Sequence, residues 1–112
     1  MADRLAALMA HFPVSAQVFN IGVLCGFNHV EDEAGRGQLH LVREGTVEVR
    51  YGRESAQVTE PSLLLFPKPL PHSFVTDPVR GADMVCAHLV FEGGAANPIA
   101  AALPPAVCLP LS

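Results

Sequence analysis

Tryptophan is absent from the 112 residues, lysine occurs once, at Lys68, and only 16% of the chain is charged. With 50% of the residues apolar, so little charge excludes an intrinsically disordered chain, which needs the opposite balance. A chain of this length buries a single core without staples. A basic stripe is also missing. Arg4, Arg36, Arg43, Arg50, Arg53 and Arg80 are scattered and interleaved with acids, and the formal net charge is −4. Clustered cations supply most non-specific affinity for phosphate backbones, so direct nucleic-acid binding by this chain is not expected. Nine glycines and ten prolines exclude a bundle of long uninterrupted helices. The apolar run within Met1 to Ala10 is too short and too interrupted for a signal peptide or a membrane span. Cys25, Cys86 and Cys108 are an odd set without disulfide-like spacing, and the expected setting is a reducing cytoplasm, away from membranes.

What is present reads as strands. Asp3 is a good N-cap, Leu5, Leu8, Met9 and Phe12 follow at helical spacing, and Pro13 stops this short amphipathic helix. From Val14 to Phe91, short segments rich in Val, Leu and Phe are punctuated by Gly, Pro, Asp and Asn. Strands are expected at Gln17 to Phe27, Gln38 to Arg43, Thr46 to Tyr51, Ser62 to Phe66, His72 to Thr76 and Met84 to Phe91. Such spacing predicts an all-β sandwich or barrel. Glu31 to Gly37 reads as a polar loop. After Gly93-Gly94, Asn97-Pro98 starts one or two helical turns that run to Leu103 and end at Pro104-Pro105. The whole of 1–112 is one expected domain, with its core at about 14–91 and an irregular tail at 92–112.

Glu44-Gly45 reads as a two-residue hairpin turn. Arg43 would then pair with Thr46, Val42 with Val47, His40 with Val49 and Gln38 with Tyr51. Gln38, His40, Val42, Val47, Val49 and Tyr51 would share one mostly apolar face, so His40 points into the core. Arg43, Glu48 and Arg50 lie on the opposite face with Leu39 and Leu41, two leucines that something must cover.

The hairpin and the segment after it resemble a cupin, a small β-barrel with the motifs G-x5-H-x-H-x3-4-E-x6-G and G-x5-P-x-G-x2-H-x3-N. With Gly45 as the last glycine of the first motif, its glutamate position holds Gln38, and the stretch before it, Glu31 to Gly37, has no histidine. His40 stands two residues further on. Pro61 to His72 has the length of the second motif, with prolines in place of both glycines and Thr76 where asparagine is expected. The chain more narrowly resembles the N-terminal cupin-like domain of AraC-type transcriptional regulators, on Asp3 to Met9, QLHLVREGTVEV (Gln38 to Val49), LLLFPKPLPHSF (Leu63 to Phe74) and MVCAHLVFEGGAANPIAAALPP (Met84 to Pro105). That resemblance implies a barrel, or jelly roll, that binds a small effector or pairs protomers as a homodimer. It also implies a C-terminal helix-turn-helix domain that reads DNA, a region this chain ends before.

His40, His72, Cys86 and His88 are the candidate site. His40 faces inward by the hairpin argument, and the cupin pattern sends His72 into the barrel. Cys86 and His88, two apart on one strand, share a face. Imidazole and thiolate suit zinc in a closed tetrahedral site. The competing reading is three core histidines and a buried cysteine, each satisfied locally. Glutamine at the glutamate position is a poor metal ligand, and a closed four-ligand site is structural rather than catalytic. Cys25, in an apolar stretch, reads as core. His29 reads as solvated, and His11 and Cys108 have no assigned partner. GVLCGF (Gly22 to Phe27) lacks the lysine and helix of a phosphate loop. The leading expectation is therefore a non-enzymatic sensing and dimerisation domain with zinc as its cofactor. The alternatives are a stand-alone metal-dependent cupin enzyme acting on a small polar substrate, and a truncated regulator that no longer signals.

Overall fold

The apolar alternation from Val14 onward does become strands, and it leaves two questions: which strands pair, and what lies on the far face. The computed structural model describes residues 13–31 and 36–111, together with Ala7, Ala10 and His11. Asp3, Leu5, Leu8, Met9 and Phe12 of the expected first helix lie outside the described residues, and Ala7, Ala10 and His11 are helical. The strands are β1 (Val14–Leu24), β2 (Phe27–Val30), β3 (Gly37–Glu44), β4 (Val47–Tyr51), β5 (Glu54–Val58), β6 (Ser62–Phe66), β7 (His72–Val75), β8 (Ala82–Phe91) and β9 (Val107–Pro110). A 3-10 turn (Gly94–Ala96) and a short helix, α1 (Pro98–Ala102), lie between β8 and β9. Asn97 caps α1 by accepting from the amides of Ile99 and Ala100, with Pro98 at the first helical position.

All pairings are antiparallel. A five-stranded sheet runs β1-β8-β3-β6-β9 and a four-stranded sheet runs β2-β7-β4-β5. Val42, Leu64, Phe66, Met84 and Cys86 of the first sheet meet Val47, Val49, Val58 and Phe74 of the second in one buried cluster. This is the all-β jelly-roll arrangement expected of the chain. Among the described residues, no helix is long and apolar enough to cross a membrane.

The expected hairpin at Glu44-Gly45 does not form. β3 pairs with β6 and β8, whereas β4 pairs with β5 and β7 in the other sheet. Gly45 is where the chain crosses between sheets. Its φ is 98°, and a Cβ there would stand 2.9 Å from the Ala82 Cα and from the Gly81 carbonyl oxygen. The expected inward face nevertheless survives: Gln38, His40, Val42, Val47 and Val49 are buried and Tyr51 is half-buried. Side-chain alternation belongs to each strand and does not depend on which neighbour it bonds. The tight hairpin lies one strand later, where Gly52 (φ 57°) and Arg53 join the Tyr51–Glu54 pair. Glycine first in a two-residue loop is the II′ form.

The two outer faces differ in kind. On the four-stranded sheet the outward residues include Glu48, Arg50, Ser55, Gln57, Ser73 and His29, with Arg50 and Gln57 donating to Glu48 and His29 bonded to Ser73. On the five-stranded sheet, two apolar rows cross every strand. One reads Val18, Ala87, Leu39, Leu65, Val107; the other reads Ile21, Val85, Leu41, Leu63, Leu109. The second row ends on Ile21, 68% exposed, and Leu109, 50% exposed. β9 was not expected: 104–112 read as the end of an irregular tail, yet it completes this sheet.

Candidate functional site

On the inner face of the five-stranded sheet, the register builds the site as two rows. Cys86 lies opposite His40, and His40 opposite Leu64; His88 lies opposite Gln38, and Gln38 opposite Phe66. A bulge between Val18 and Asn20 leaves Phe19 without a partner on β8. Bulges re-aim side chains, and this one stacks the Phe19 ring on His88, centroids 4.3 Å apart. From the other sheet, β7 delivers His72, which stacks on Phe66 at 3.9 Å.

His40 and His72 meet, with their Nε2 atoms 2.8 Å apart. The Leu70 carbonyl, 2.7 Å from His72 Nδ1, can only accept, so His72 Nδ1 carries the proton. In the neutral ring His72 Nε2 is then a lone pair, and His40 Nε2–H donates to it. His40 Nδ1 is left as an acceptor, buried and without a partner. Burial pushes His40 down to about 3, and positive charge on His72 or His88 would push it the same way. His72 is also lowered, by burial first, against the Leu70 carbonyl, which raises it. Gln38 bonds His88 Nδ1 through its amide nitrogen at 2.7 Å, and its Oε1 is a second buried acceptor without a partner.

The four expected ligands are thus brought to one end of the interior but not to one point. His40 and His72 meet through their ring nitrogens. Burial raises Cys86 to about 11, against a hydrogen bond from Asn20, so without a metal it is a thiol. The His88 ring is engaged by Gln38 and Phe19. Among the described residues, no three His, Cys, Asp or Glu side chains are grouped to hold a metal ion. The residues as placed do not fit a closed four-ligand zinc site. Phe19, Gln38 and the Leu70 carbonyl belong to the site and were not singled out for it. Phe19 depends on a bulge that leaves no mark in the sequence.

The remaining titratable candidates separate by exposure. Cys25 corrects the core expectation: it is exposed, as is Cys108, because β1 ends at Leu24 before the bend into β2. His29 is half exposed and lies 3.3 Å from Glu31, and His11 is exposed. Two cavities flank the site at opposite ends of β3. One of about 820 Å³ is lined by Glu44, Glu48, Asp77, Asp83 and Arg80 among others. One of about 400 Å³ is lined by Gly37, Lys68 and Leu89 among others.

Comparison with known families decides the relationship. A family model described as Cupin matches residues 3–112. The chain is a cupin. No curated protein matches it. His72 of this cupin enters the interior beside His40 and Gln38.

Proposed function

We propose that this cupin is a regulatory domain of the AraC type, which holds two copies together and responds to a small polar molecule rather than catalysing a reaction. The observation that carries the reading is the contrast between the two outer faces. A sheet with one face on the core ordinarily turns polar residues outward, as the four-stranded sheet does along Glu48, Arg50, Ser55 and Gln57, with Phe27 and Val75 as apolar exceptions. The five-stranded sheet instead carries two apolar rows about 19 Å wide, from four strand spacings of about 4.8 Å, exposed at Val18, Ile21 and Leu109 although Ala87 in the first row is buried. Neither row contains a charged side chain. A second copy, though it too carries net charge −4, meets no like charge along these two rows. The sheets would stack as the two sheets of a sandwich do, and an interface of this size suits reversible association.

The site chemistry supports the non-catalytic part. His40 and His72 are held neutral and Cys86 is held as a thiol, so the cluster offers neither a poised base nor an ionised nucleophile. It does offer two unpartnered acceptors, His40 Nδ1 and Gln38 Oε1, for a small polar guest admitted past Phe19.

Sedimentation equilibrium at tens of micromolar, a range in which a modest interface holds, is expected to give a dimer. Val18→Ser with Ile21→Ser is expected to give a folded monomer by circular dichroism. A monomeric wild type overturns the reading. The regulator context has its own test: the reading frame is expected to continue past Ser112 into a helix-turn-helix region. Zinc analysis of untagged protein is expected to find below about 0.1 per chain, and stoichiometric tight zinc would restore the closed-site reading.

A further inference from the structure

Phe19 is an anomaly on β1. The bulge between Val18 and Asn20 leaves it without a partner on β8, and it belongs to neither outward row. Its ring reaches the inner face, stacked on His88 at 4.3 Å and edge-on to His40 at 6.4 Å, yet 45% of the residue is exposed. The ring therefore joins solvent to the part of the interior where two acceptors lack partners. His40 Nδ1 is one of them. Oε1 of Gln38, the residue that holds the His88 ring, is the other. Gln38 and His40 are both buried, and as they are two apart on β3 they share its inner face. A phenyl ring offers such acceptors only C–H, and a buried acceptor left unmet is unfavourable.

We propose that Phe19 stands in for a guest's own ring: the interior takes a small primary arylamine, whose ring replaces that of Phe19 on His88 while its two N–H groups go to His40 Nδ1 and Gln38 Oε1. The inference rests on the reading that the interior admits a small polar guest, and it names the class of that guest. One nitrogen with two hydrogens meets two acceptors, and an arylamine, uncharged at neutral pH, brings no ion among residues that carry no carboxylate. Its ring suits a site already lined by aromatic edges, with Phe66 at 6.0 Å and Phe74 at 4.7 Å from His40. Room for the guest comes from the Phe19 ring turning into the solvent it already meets. That motion is a change of side-chain rotamer, and it breaks no pairing to β8 because the bulge residue has none.

NMR titration of the wild-type chain with aniline, read at the ring nitrogens of isotope-labelled histidines, tests the proposal. Aniline is expected to move His40 Nδ1 upfield from the position of an unprotonated nitrogen, with millimolar or tighter affinity. N,N-dimethylaniline keeps the ring and has no N–H, and it is expected to bind about fivefold or more weakly. Phe19→Ala removes the competing ring and is expected to bind aniline about threefold or more tightly. Its ligand-free amide spectrum should superpose on the wild type away from 17–21 and the rings that Phe19 touches. A Phe19→Ala chain that passes this check and binds aniline no more tightly overturns the stand-in role. Equal affinity of the wild type for aniline and N,N-dimethylaniline overturns the arylamine class. Acetamide moving His40 Nδ1 where aniline fails to, up to about 20 mM and well above a millimolar Kd, overturns the aromatic guest and leaves the reading of the interior in place. Absence of any shift at His40 with all three compounds overturns both.

Discussion

His40 has 0% exposure and sits among Phe66, Phe74 and His72, so protonating it would place an ion in an apolar interior. An unfolded histidine takes up its proton near 6.5, whereas folded His40 stays neutral down to about 3. Between those values the unfolded chain binds more protons, so stability falls as pH is lowered through that window. His72, also lowered, acts in the same direction. The urea midpoint is expected to hold steady above about pH 7 and to decline below about pH 6.5, with a shallower decline in His40→Gln. Equal wild-type midpoints at about pH 7.5 and 4.5 would contradict the account. Cysteine chemistry checks the same interior from another side. Cys25 and Cys108 are exposed and Cys86 is buried, so a thiol reagent should label the first two in the native protein and Cys86 only on unfolding. Rapid labelling of all three would mean that the inner row is open.

Among the elements, the crossing at Gly45 between β3 and β4 and the hairpin at Gly52 between β4 and β5 use the same residue for different reasons. Both have positive φ, but a Cβ at Gly45 meets the Ala82 backbone while one at Gly52 meets nothing within 4 Å. Gly45→Ala is expected to destabilise by about 1–3 kcal/mol. Gly52→Ala, strained by its positive φ but meeting no neighbour, should cost less than Gly45→Ala. Denaturation of the two variants compares them, and similar losses would refute the distinction. These two turns also show what the sequence could convey. The inward set from Gln38 to Val49 was legible because alternation needs no knowledge of the partner strand. The partner itself was not: β3 bonds β6 and β8, and nothing local to Glu44-Gly45 records whether the chain folds back or crosses over. β5, with Glu54, Ser55 and Gln57, has too polar a pattern to announce a strand, and β9 hides between prolines. At the site, His40 and His72 were legible as a converging pair and the shared face of Cys86 and His88 was correct. Their separate engagements were not legible, because they follow from the β1 bulge and from burial.

For the whole molecule, the distribution of polarity matters more than the net charge. The outward rows of the five-stranded sheet are uncharged, whereas the Arg43–Asp83 ion pair at 2.8 Å stands beyond their edge. Association through such a face is driven by apolar burial and is not screened by salt. A dimer formed through this face, as proposed, is therefore expected to persist, or to tighten, as sodium sulfate is raised to about 0.5 M. Dissociation over that range, followed by sedimentation velocity, would mean that charge holds the copies together.

The hydrogen bonds from His40 through His72 to the Leu70 carbonyl run in one sense only. Each donor is consumed by the acceptor ahead of it, and the row terminates in the lone pair of His40 Nδ1. A guest offering an ammonium, amide or hydroxyl hydrogen completes the row as it stands. A guest that can only accept, such as a carboxylate, would need both rings to change tautomer, and the part-buried Leu70 carbonyl would lose its donor. For the small polar guest proposed above, the row would thus act as a rectifier, favouring donors over acceptors.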